Sequence, residues 1–236
     1  MQSRIFKIGW KLLDLIFPPT CAGCEKWGNR YCTFCFENTK TIKTMICSIC
    51  GEPERISNGS VCKRCQSEEI YFDALRSWGY FEEPLKKAIH KLKYRRDISL
   101  GDVLSKPLID LVSENSWKVE LITAVPLDKL RVRERGYNQS EYLARPVARN
   151  LNIPFKSAAI KRMKITRPQV GLSRAERQIN ISDAFVSDSH IVNGKNILVI
   201  DDVVTTGSTL NACAKSLKMA GSTKVYALTL ARSTYL

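Results

Sequence analysis

The sequence lacks several features that would assign it to a familiar class at once. No apolar stretch approaches the roughly 20 residues that a membrane-spanning helix requires. Only two histidines are present, His90 and His190, and neither has neighbours typical of a metal site or a catalytic triad, so we expect both to be structural or exposed. Aromatic residues make up 8% of the chain, so stacking surfaces for single-stranded nucleic acid are not evident. These absences argue against a membrane-spanning protein and against histidine-based chemistry.

What the sequence does have is a basic character and enough apolar residues for a core. Its 236 residues suffice for one α/β domain and a small module, and hydrophobic residues make up 44% of them, which argues against wholesale disorder. The formal net charge is +14, with a pI near 9.5. This charge favours polyanionic partners, namely nucleic acid, an anionic membrane surface or a phosphorylated substrate. A solvated basic surface is the alternative.

The N-terminal segment 1–19 begins like a signal peptide, because several cations precede apolar residues. Asp14 interrupts the apolar run, however, and Pro18-Pro19 follows instead of a cleavage site of small residues. Apolar residues recur at helical spacing, at Ile5, Ile8, Leu12 and Ile16. We therefore predict a short amphipathic helix that packs on its own protein, with peripheral contact to a membrane surface as the alternative. Since no secretory signal is evident, we expect the chain to be cytoplasmic.

Eight of the nine cysteines form four Cys-x-x-Cys pairs, and segment 20–66, which contains them, is the predicted metal-binding module. The pairs are Cys21/Cys24, Cys32/Cys35, Cys47/Cys50 and Cys62/Cys65. Two such turns supply the four thiolates of a tetrahedral zinc site, so four turns predict two structural zinc sites. An iron–sulfur cluster is the alternative, and both sequential and interleaved pairing of the turns stay open. Neither site contains the histidine or carboxylate that would suggest a catalytic zinc.

Residues 67–236 alternate between strand and helix patterns. Strands are predicted at Ala74–Tyr80, Val119–Val125, Ala158–Met163, Lys195–Asp201 and Lys224–Ala231. Helices are predicted at Pro84–Tyr94, 101–115, Asn138–Leu151 and Ser208–Ala220, with Pro146 expected to kink or shorten the third. The ninth cysteine, Cys213, stands in the last helix at helical spacing with Leu210 and Leu217, which predicts a small buried side chain. The alternation predicts a parallel, doubly wound α/β sheet, which binds ligands at the carboxyl ends of its strands.

The fourth of these strands ends in two adjacent carboxylates, Asp201 and Asp202, and a polar turn follows it. Two carboxylates at a strand end can accept hydrogen bonds from a vicinal diol and can orient the hydration shell of Mg²⁺. The turn Thr205-Thr206-Gly207-Ser208-Thr209 opens the next helix, so its N–H and hydroxyl groups can hold a phosphate. The spacing of a Walker loop is missing. An ordinary capped strand–loop–helix unit is the alternative, but a diol site beside a phosphate cradle matches a ribose 5-phosphate.

This segment, from Ile197 to Leu210, resembles the 5-phosphoribosyl diphosphate (PRPP) signature of type I phosphoribosyltransferases. The stretch from Val125 to Gln139, with its Arg135-Gly136-Tyr137-Asn138-Gln139 end, resembles a block of the ComF/ComFC/GntX family, with Tyr137 in place of the usual Phe. Thr166 to Phe185 resembles that family's next block, and Phe17-Pro18-Pro19 before the cysteines resembles the start of its double zinc ribbon. The resemblance covers nearly the whole chain, and the blocks stand in the family's order.

The resemblance implies a type I phosphoribosyltransferase fold behind a double zinc ribbon, with PRPP and Mg²⁺ bound to it. The implied PRPP ligands are Asp201, Asp202, Thr205, Thr206, Gly207, Ser208, Thr209, Arg131 and Arg135, and the two aspartates are also the catalytic candidates. The resemblance places a pyrophosphate loop at 126–136 and a mobile flap at 164–180. The basic helix end at Lys93-Tyr94 either borders the PRPP pocket or is surface.

Three functions stay open at this point. The first is an active phosphoribosyltransferase of nucleotide metabolism or salvage, which would displace pyrophosphate from PRPP. The second, implied by the family resemblance, is a PRPP- or single-stranded-DNA-binding module of natural competence that works beside a helicase. The third is a PRPP-sensing regulator. No residue block identifies an acceptor base, so the sequence does not decide between turnover and binding alone.

Overall fold

The computed structural model describes residues 18–43, 46–53, 61–95, 97, 99–163 and 184–233. The predicted flap at 164–180 lies outside these ranges, and so does the predicted N-terminal helix apart from Pro18 and Pro19. Among the described helices, none combines the length and the apolar character that a membrane crossing requires.

A parallel sheet of four strands forms the centre of the described part of the chain. The strands of the described residues are β1 (Ala74–Tyr80), β2 (Leu121–Ala124), β3 (Ile160–Arg162), β4 (Phe185–Ser187), β5 (Asn196–Val204) and β6 (Lys224–Arg232). The order across the central sheet is β1-β6-β5-β2, and all three pairings are parallel. The inner strands β5 and β6 are apolar and buried along most of their length, as expected of strands that are covered on both faces.

The first two described helices precede β1, and the others lie between the strands. The described helices are α1 (Thr33–Glu37), α2 (Lys63–Ser67), α3 (Leu85–Tyr94), α4 (Leu100–Leu104), α5 (Lys106–Glu114), α6 (Lys129–Arg135), α7 (Gln139–Leu151), α8 (Ser189–Val192) and α9 (Ser208–Met219), with a 3₁₀ turn at Ser157–Ala159. The single helix predicted at 101–115 is divided in two at Ser105, and Pro107 stands at the start of the second part, where a missing N–H does no harm.

Each face of the sheet has its own apolar core. On one face, α3, α4, α5 and α7 pack against the sheet, with Leu108 and Leu143 in the same cluster as Leu198 of β5. On the other face, α9 and the β3–β4 pair form a second cluster, in which Leu217 joins Val199. Leu198 and Val199 are consecutive, and consecutive side chains of a strand point to opposite faces. The predicted doubly wound α/β fold is confirmed.

The two cysteine-rich segments dock on different faces of the sheet. Cys21 belongs to the core of α3, α4, α5 and α7, whereas Cys50 belongs to the core of α9. Arg232, a fully buried arginine at the end of β6, also binds the second segment to the sheet. Its guanidinium donates to Oε2 of Glu52 at 2.5 Å and to the carbonyl oxygen of Cys50. Both segments are therefore packed against the α/β domain.

Two strands differ from their predictions. The strand predicted at Ala158–Met163 does not join the parallel sheet, because β3 pairs antiparallel with β4 in a sheet of its own. The strand predicted to end at Asp201 continues to Val204, because its last residues still pair with β6, up to Arg232. Polar residues at 201 and 202 end the apolar pattern without ending the backbone pairing.

Helix α7 runs on to Leu151 although Pro146 lies inside it, so of the two predicted effects, a kink or a shorter helix, the second does not occur. Proline cannot donate to the carbonyl oxygen four residues earlier, which here belongs to Tyr142. Gly101 of α4 packs against that carbonyl so closely that an added Cβ would lie 2.4 Å from the oxygen. Close packing of α4 stabilises α7 around the proline, and only a glycine permits this approach.

Candidate functional site

Each cysteine-rich segment brings four sulfur atoms to one point. Within each group the sulfur atoms lie within 4.8 Å of one another. The groups are Cys21, Cys24, Cys32 and Cys35, and Cys47, Cys50, Cys62 and Cys65. The sequential pairing of the Cys-x-x-Cys turns is therefore correct, and the interleaved alternative is wrong.

The sulfur positions fit a tetrahedral zinc ion. A Zn–S bond of about 2.3 Å implies sulfur atoms about 3.8 Å apart. The observed separations include 3.5 Å from Cys21 to Cys35 and 3.6 Å from Cys50 to Cys62. All nine cysteines lie in the described part of the chain and are free of disulfides. With sulfur as the sole ligand type and no open position, these sites match structural zinc.

Backbone N–H groups prepare one cysteine of each group for metal binding. Burial raises the pKa of the Cys21 thiol, but the N–H groups of Cys24 and Cys32 outweigh this effect and lower the pKa to about 6. Cys47 holds the matching position in the second group. Burial raises its pKa too, and the N–H of Cys62 contributes most to lowering it to about 7. A lowered pKa favours the thiolate, which is the form that binds zinc.

The acidic pair lies on β5, near the carboxyl edge of the sheet. Oδ1 of Asp201 accepts a hydrogen bond of 2.7 Å from Oγ of Ser140, in the first turn of α7. The same oxygen accepts a second bond, of 2.9 Å, from the N–H of Asp202. Ser140 directly follows the block that ends at Gln139, and Asp201 lies in the block on β5, so this contact links the neighbourhoods of the two blocks that resemble the family.

Asp202 makes a different contact. Asp202 is 4% exposed, and its Oδ1 lies 3.2 Å from Nζ of Lys93, at the end of α3. Its other oxygen, Oδ2, is buried without a hydrogen-bond partner among the described residues. A buried polar atom without a partner is costly, so this oxygen is suited to accept a hydrogen bond or to face a cation from a ligand.

The pKa of the Asp201 carboxyl is raised in this site. Burial, followed by the charge of Asp202, raises the pKa of the Asp201 carboxyl to about 7. The bond from Ser140 and the charge of Lys93 oppose this rise without cancelling it. Two adjacent carboxylates in a protected place resist ionising together, so a ligand that brings positive charge or hydroxyl donors stabilises the ionised pair.

The predicted phosphate turn connects β5 to α9. Gly207 caps the helix with a φ of 80°, in the left-handed region that glycine adopts without strain. Oγ of Ser208 lies 2.8 Å from Oγ1 of Thr206, which also accepts a weak bond from the Ser208 N–H. The N-cap residue, Gly207, has no side chain that could accept from the following N–H groups. Its first N–H groups, with the hydroxyls beside them, are suited to an anion.

A cationic cavity of about 470 Å³ lies next to the acidic pair. Its lining residues are Lys93, Tyr94, Arg131, Glu134 and Arg135. Lys93 belongs both to this cavity and to the contact with Asp202, so it joins the two parts of the site. Arg135 is held in place, because it donates to Oε1 of Gln139 at 2.9 Å and its guanidinium lies 4.9 Å from the ring centre of Tyr94.

The segment at 126–136 is mainly helical, so the predicted loop conformation is wrong, while its binding of pyrophosphate stays a prediction. Helix α6 spans Lys129–Arg135, and the Asp128 side chain accepts from the Arg131 N–H at 2.9 Å. Gly136 ends the helix with a φ of 79°. An acidic N-cap, good helix formers and a C-terminal glycine favour this conformation. Arg131 lines the cavity from the helix while its Nε lies 3.4 Å from Asp128.

Two residues of this site go beyond the residues predicted to bind a ligand. The sequence leaves Lys93 undecided between pocket and surface, and its contact with Asp202 places it in the site. Ser140 is not among the residues predicted to bind a ligand. The Asn138 side chain caps α7 by accepting from the Ser140 N–H at 3.1 Å, and the Ser140 hydroxyl donates to Asp201. The signal available was its position next to the family block.

Fold and site together define a class of protein, a phosphoribosyltransferase-type α/β domain that carries two Cys₄ ribbons. The family model described as "Phosphoribosyl transferase domain" matches residues 138–234. The model described as "Double zinc ribbon domain" matches residues 12–66. Among solved structures, the glutamine PRPP amidotransferase of B. subtilis is 20% identical with a TM-score of 0.39, covering 60% of this chain and 26% of that one.

Proteins of known name are similar over most of their length. The DNA utilization protein YhgH of Escherichia coli (strain K12) is 34% identical over 212 residues, which cover 88% of this chain and 91% of that protein. Competence protein F of Haemophilus influenzae is 33% identical, covering 87% and 98%. Competence protein ComFC of Bacillus subtilis (strain 168) is 24% identical, covering 96% and 90%. The chain belongs to the ComF family that these proteins represent.

Proposed function

We propose that this protein binds PRPP together with Mg²⁺ at the carboxyl edge of its sheet. The observation that carries the proposal is the acidic pair on β5, one of whose oxygens, Asp202 Oδ2, is buried without a hydrogen-bond partner among the described residues. The pair lies directly before the Gly207 turn and beside a cavity lined by cations. A ligand that fits all three features carries a diol, a phosphate and a further group of high negative charge.

The ribose is the part assigned to the acidic pair. Asp201 and Asp202 would accept hydrogen bonds from its two adjacent hydroxyls, and their charge would stabilise positive charge that develops on the sugar during transfer. The bond from Ser140 orients the Asp201 carboxyl, and Lys93 lies at Asp202. Such fixed contacts favour one orientation of the sugar.

The 5-phosphate is the part assigned to residues 205–209. The twelve-residue helix α9 begins at Ser208, and the N–H groups of its first turn attract negative charge. The hydroxyls of Thr206 and Ser208, 2.8 Å apart, add donors at the same place. Thr205 and Thr209 flank the turn and complete the proposed cradle.

The pyrophosphate is the part assigned to the cationic cavity. Arg135 and Arg131 both line it, and a guanidinium forms strong paired bonds to phosphate oxygens. When bound, Mg²⁺ would neutralise part of the pyrophosphate charge, and carboxylate oxygens such as those of Asp201 and Asp202 are suited to hold it directly or through water.

Calorimetric titration of PRPP with Mg²⁺ tests this site. The wild-type chain should bind, and the double variant Asp201→Asn/Asp202→Asn should lose binding. A matched control is Asp110→Asn/Glu114→Gln, which removes two exposed carboxylates from α5 and should bind like the wild type. Equal affinity of the β5 variant and the wild type would contradict the site, and absence of binding to the wild type would contradict the function.

Turnover needs a separate measurement. If the protein is a phosphoribosyltransferase, an acceptor should release pyrophosphate from PRPP, and the release should stop in the Asp201→Asn/Asp202→Asn variant. A panel of purine and pyrimidine bases, measured with a coupled pyrophosphate assay, covers the common acceptors. Binding of PRPP without release across the panel would support a binding or sensing module instead.

A second proposal concerns DNA, and the names of the relatives support it, since they refer to competence and DNA utilization. The observation in its favour is helix α6, whose exposed face combines cations with apolar side chains. Leu130 is 69% exposed and Tyr94, next to the helix, is 63% exposed. Arg133 is exposed on the same helix. Cations for phosphates beside apolar and aromatic surface for bases suit single-stranded DNA.

Fluorescence anisotropy with a labelled single strand, repeated over a range of salt, tests DNA binding. Each phosphate contact contributes a slope of about −0.7 to the plot of log affinity against log salt. Arg133→Gln should reduce the slope by about that amount. Lys224→Gln, an exposed cation at the start of β6, should leave it unchanged. A flat salt dependence of the wild type would argue against phosphate contacts.

A further inference from the structure

An arginine of the second cysteine-rich segment contacts the proposed phosphate turn directly. Arg64 lies between Cys62 and Cys65, on the short helix α2. Its Nη1 donates a hydrogen bond of 2.7 Å to the carbonyl oxygen of Thr206. This contact joins a residue inside a metal-binding turn to the segment that opens α9. Nothing in the sequence indicates it, because the two residues stand far apart in the chain.

The rest of the guanidinium also faces the turn. Nη2 of Arg64 lies 3.8 Å from the place where a Cβ would stand on Gly207, so no side chain separates the cation from the turn. Nε of Arg64 is buried and has no hydrogen-bond partner among the described residues, although Oε2 of Glu68 lies 3.8 Å from it. The arginine is half-buried, and its charge is close to the N-terminus of α9.

A second contact fixes the same region from the linker that follows α2. Oδ1 of Asn211, in the first turn of α9, accepts from the N–H of Tyr71 at 2.7 Å. Its Nδ2 donates to the carbonyl oxygen of Glu69 at 2.9 Å. The start of α9 is therefore held by residues 69 and 71 as well as by Arg64, whose backbone is itself fixed by the neighbouring metal ligands.

We propose that the second zinc ribbon is part of the sugar-phosphate site, and that Arg64 is the positioning residue through which it acts. Its bond to the Thr206 carbonyl turns that oxygen away from the anion and directs the N–H groups at Gly207 and Ser208 toward the 5-phosphate. Its positive charge adds to that of the helix N-terminus. This inference rests on the proposed binding of PRPP, and it explains why the zinc module and the α/β domain pack so closely.

The test compares Arg64→Gln with Arg64→Lys and with Lys63→Gln, an exposed cation one residue earlier. All variants must first contain the same zinc per chain as the wild type. By calorimetry, Arg64→Gln should weaken the binding of PRPP and of ribose 5-phosphate about 10-fold, the effect of losing one charged hydrogen bond. Arg64→Lys should recover part of the loss, and Lys63→Gln should bind within about twofold of the wild type.

Two further measurements separate positioning from a general loss of structure. Inorganic pyrophosphate, which has no 5-phosphate, should bind equally well to Arg64→Gln and to the wild type. Amide hydrogen exchange in residues 205–209 should be faster in Arg64→Gln alone, because the turn has lost its anchor. Wild-type affinity of Arg64→Gln for ribose 5-phosphate would overturn this inference and leave the proposed function intact. A wild-type chain that binds neither sugar phosphate would overturn both.

Discussion

Nζ of Lys93, at the end of α3, lies 3.2 Å from Oδ1 of Asp202 on β5. The side chains are 19% and 5% exposed, so the pair is largely removed from water. The cation is also part of the cavity that lies next to the acidic pair. Lys93 thus balances a carboxylate whose other oxygen has no hydrogen-bond partner among the described residues.

Removing this lysine should destabilise the protein. Lys93→Met keeps most of the side-chain volume but leaves a buried carboxylate without its cation, which should lower the free energy of unfolding by about 3 kcal/mol. Lys91→Met is the matched control, because Lys91 lies 3.2 Å from a carboxylate that is 69% exposed, Glu25. Its cost should stay below about 1 kcal/mol. Urea unfolding measures both.

A double variant tests whether the charge is the cause. If the cost in Lys93→Met comes from an unpaired carboxylate, Asp202→Asn added to it should restore part of the lost stability. Additive losses in the double variant, or equal losses at Lys93 and Lys91, would contradict the role assigned to this pair.

The raised pKa of Asp201 should appear as a pH dependence of stability. Burial and the charge of Asp202 raise the pKa from its ordinary 3.8 to about 7, so the folded state holds the proton more tightly than the unfolded state. The contribution of Asp201 to stability is therefore complete below about pH 4 and is lost as the pH rises through about 7. Between these values the wild type should lose stability relative to Asp201→Asn, as measured by urea unfolding at several pH values.

Ligand binding should show the opposite trend, provided that the ionised carboxyl binds the ribose. PRPP affinity should rise up to about 10-fold per pH unit below pH 7 and level off above it. Asp110→Asn serves as the control for both measurements, since it removes an exposed carboxylate from α5. Parallel stability curves for the wild type and Asp201→Asn would show that this carboxyl does not titrate in the expected range.

Much of the fold follows from local pattern. Strand β1 is predicted with its observed ends, and its buried and partly exposed positions alternate from Leu75 to Tyr80. The Cys-x-x-Cys spacing predicts both metal sites, since each turn already fixes two ligands. The prediction is less complete where pairing between distant segments determines the end of a strand or its partner. The last residues of β5 are held by β6, and β3 pairs with β4 instead of joining the parallel sheet.

The site follows from sequence only in its local parts. Asp201 and the Gly207 turn are neighbours in the chain, so their pattern is visible without a structure. The contacts of Lys93 and Ser140 with the acidic pair depend on how α3 and α7 pack against β5, which no local pattern contains. The same limit applies to Arg64, because a residue between two zinc ligands gives no sign of its partner at Thr206.

Gly207 should be needed for its backbone conformation. Its φ is 80°, and a Cβ there would meet nothing closer than 3.8 Å, so Gly207→Ala adds strain without a clash. The strain should cost about 1 kcal/mol and should weaken PRPP binding by distorting the turn. Gly194→Ala is the matched control, with a φ of 71° and open space around it, away from the turn. It should cost the same stability, measured by urea unfolding, and leave calorimetric affinity unchanged. Equal PRPP affinity of Gly207→Ala and Gly194→Ala would show that the turn does not contact the ligand.

The two Cys₄ groups should hold two zinc ions per chain, and each group should lose its metal independently. Cys50→Ser removes a buried ligand from the second group and should lower the zinc content from about two to about one per chain, measured by mass spectrometry of the metal in purified protein. Cys24→Ser should do the same in the first group. Cys213→Ala is the control, because Cys213 is fully buried in α9 and belongs to neither sulfur group, and it should leave two zinc ions. Iron with visible absorption, in place of zinc, would identify the clusters as iron–sulfur sites. Zinc content unchanged in Cys50→Ser would exclude that residue as a ligand, and with it the tetrahedral site that positions Arg64.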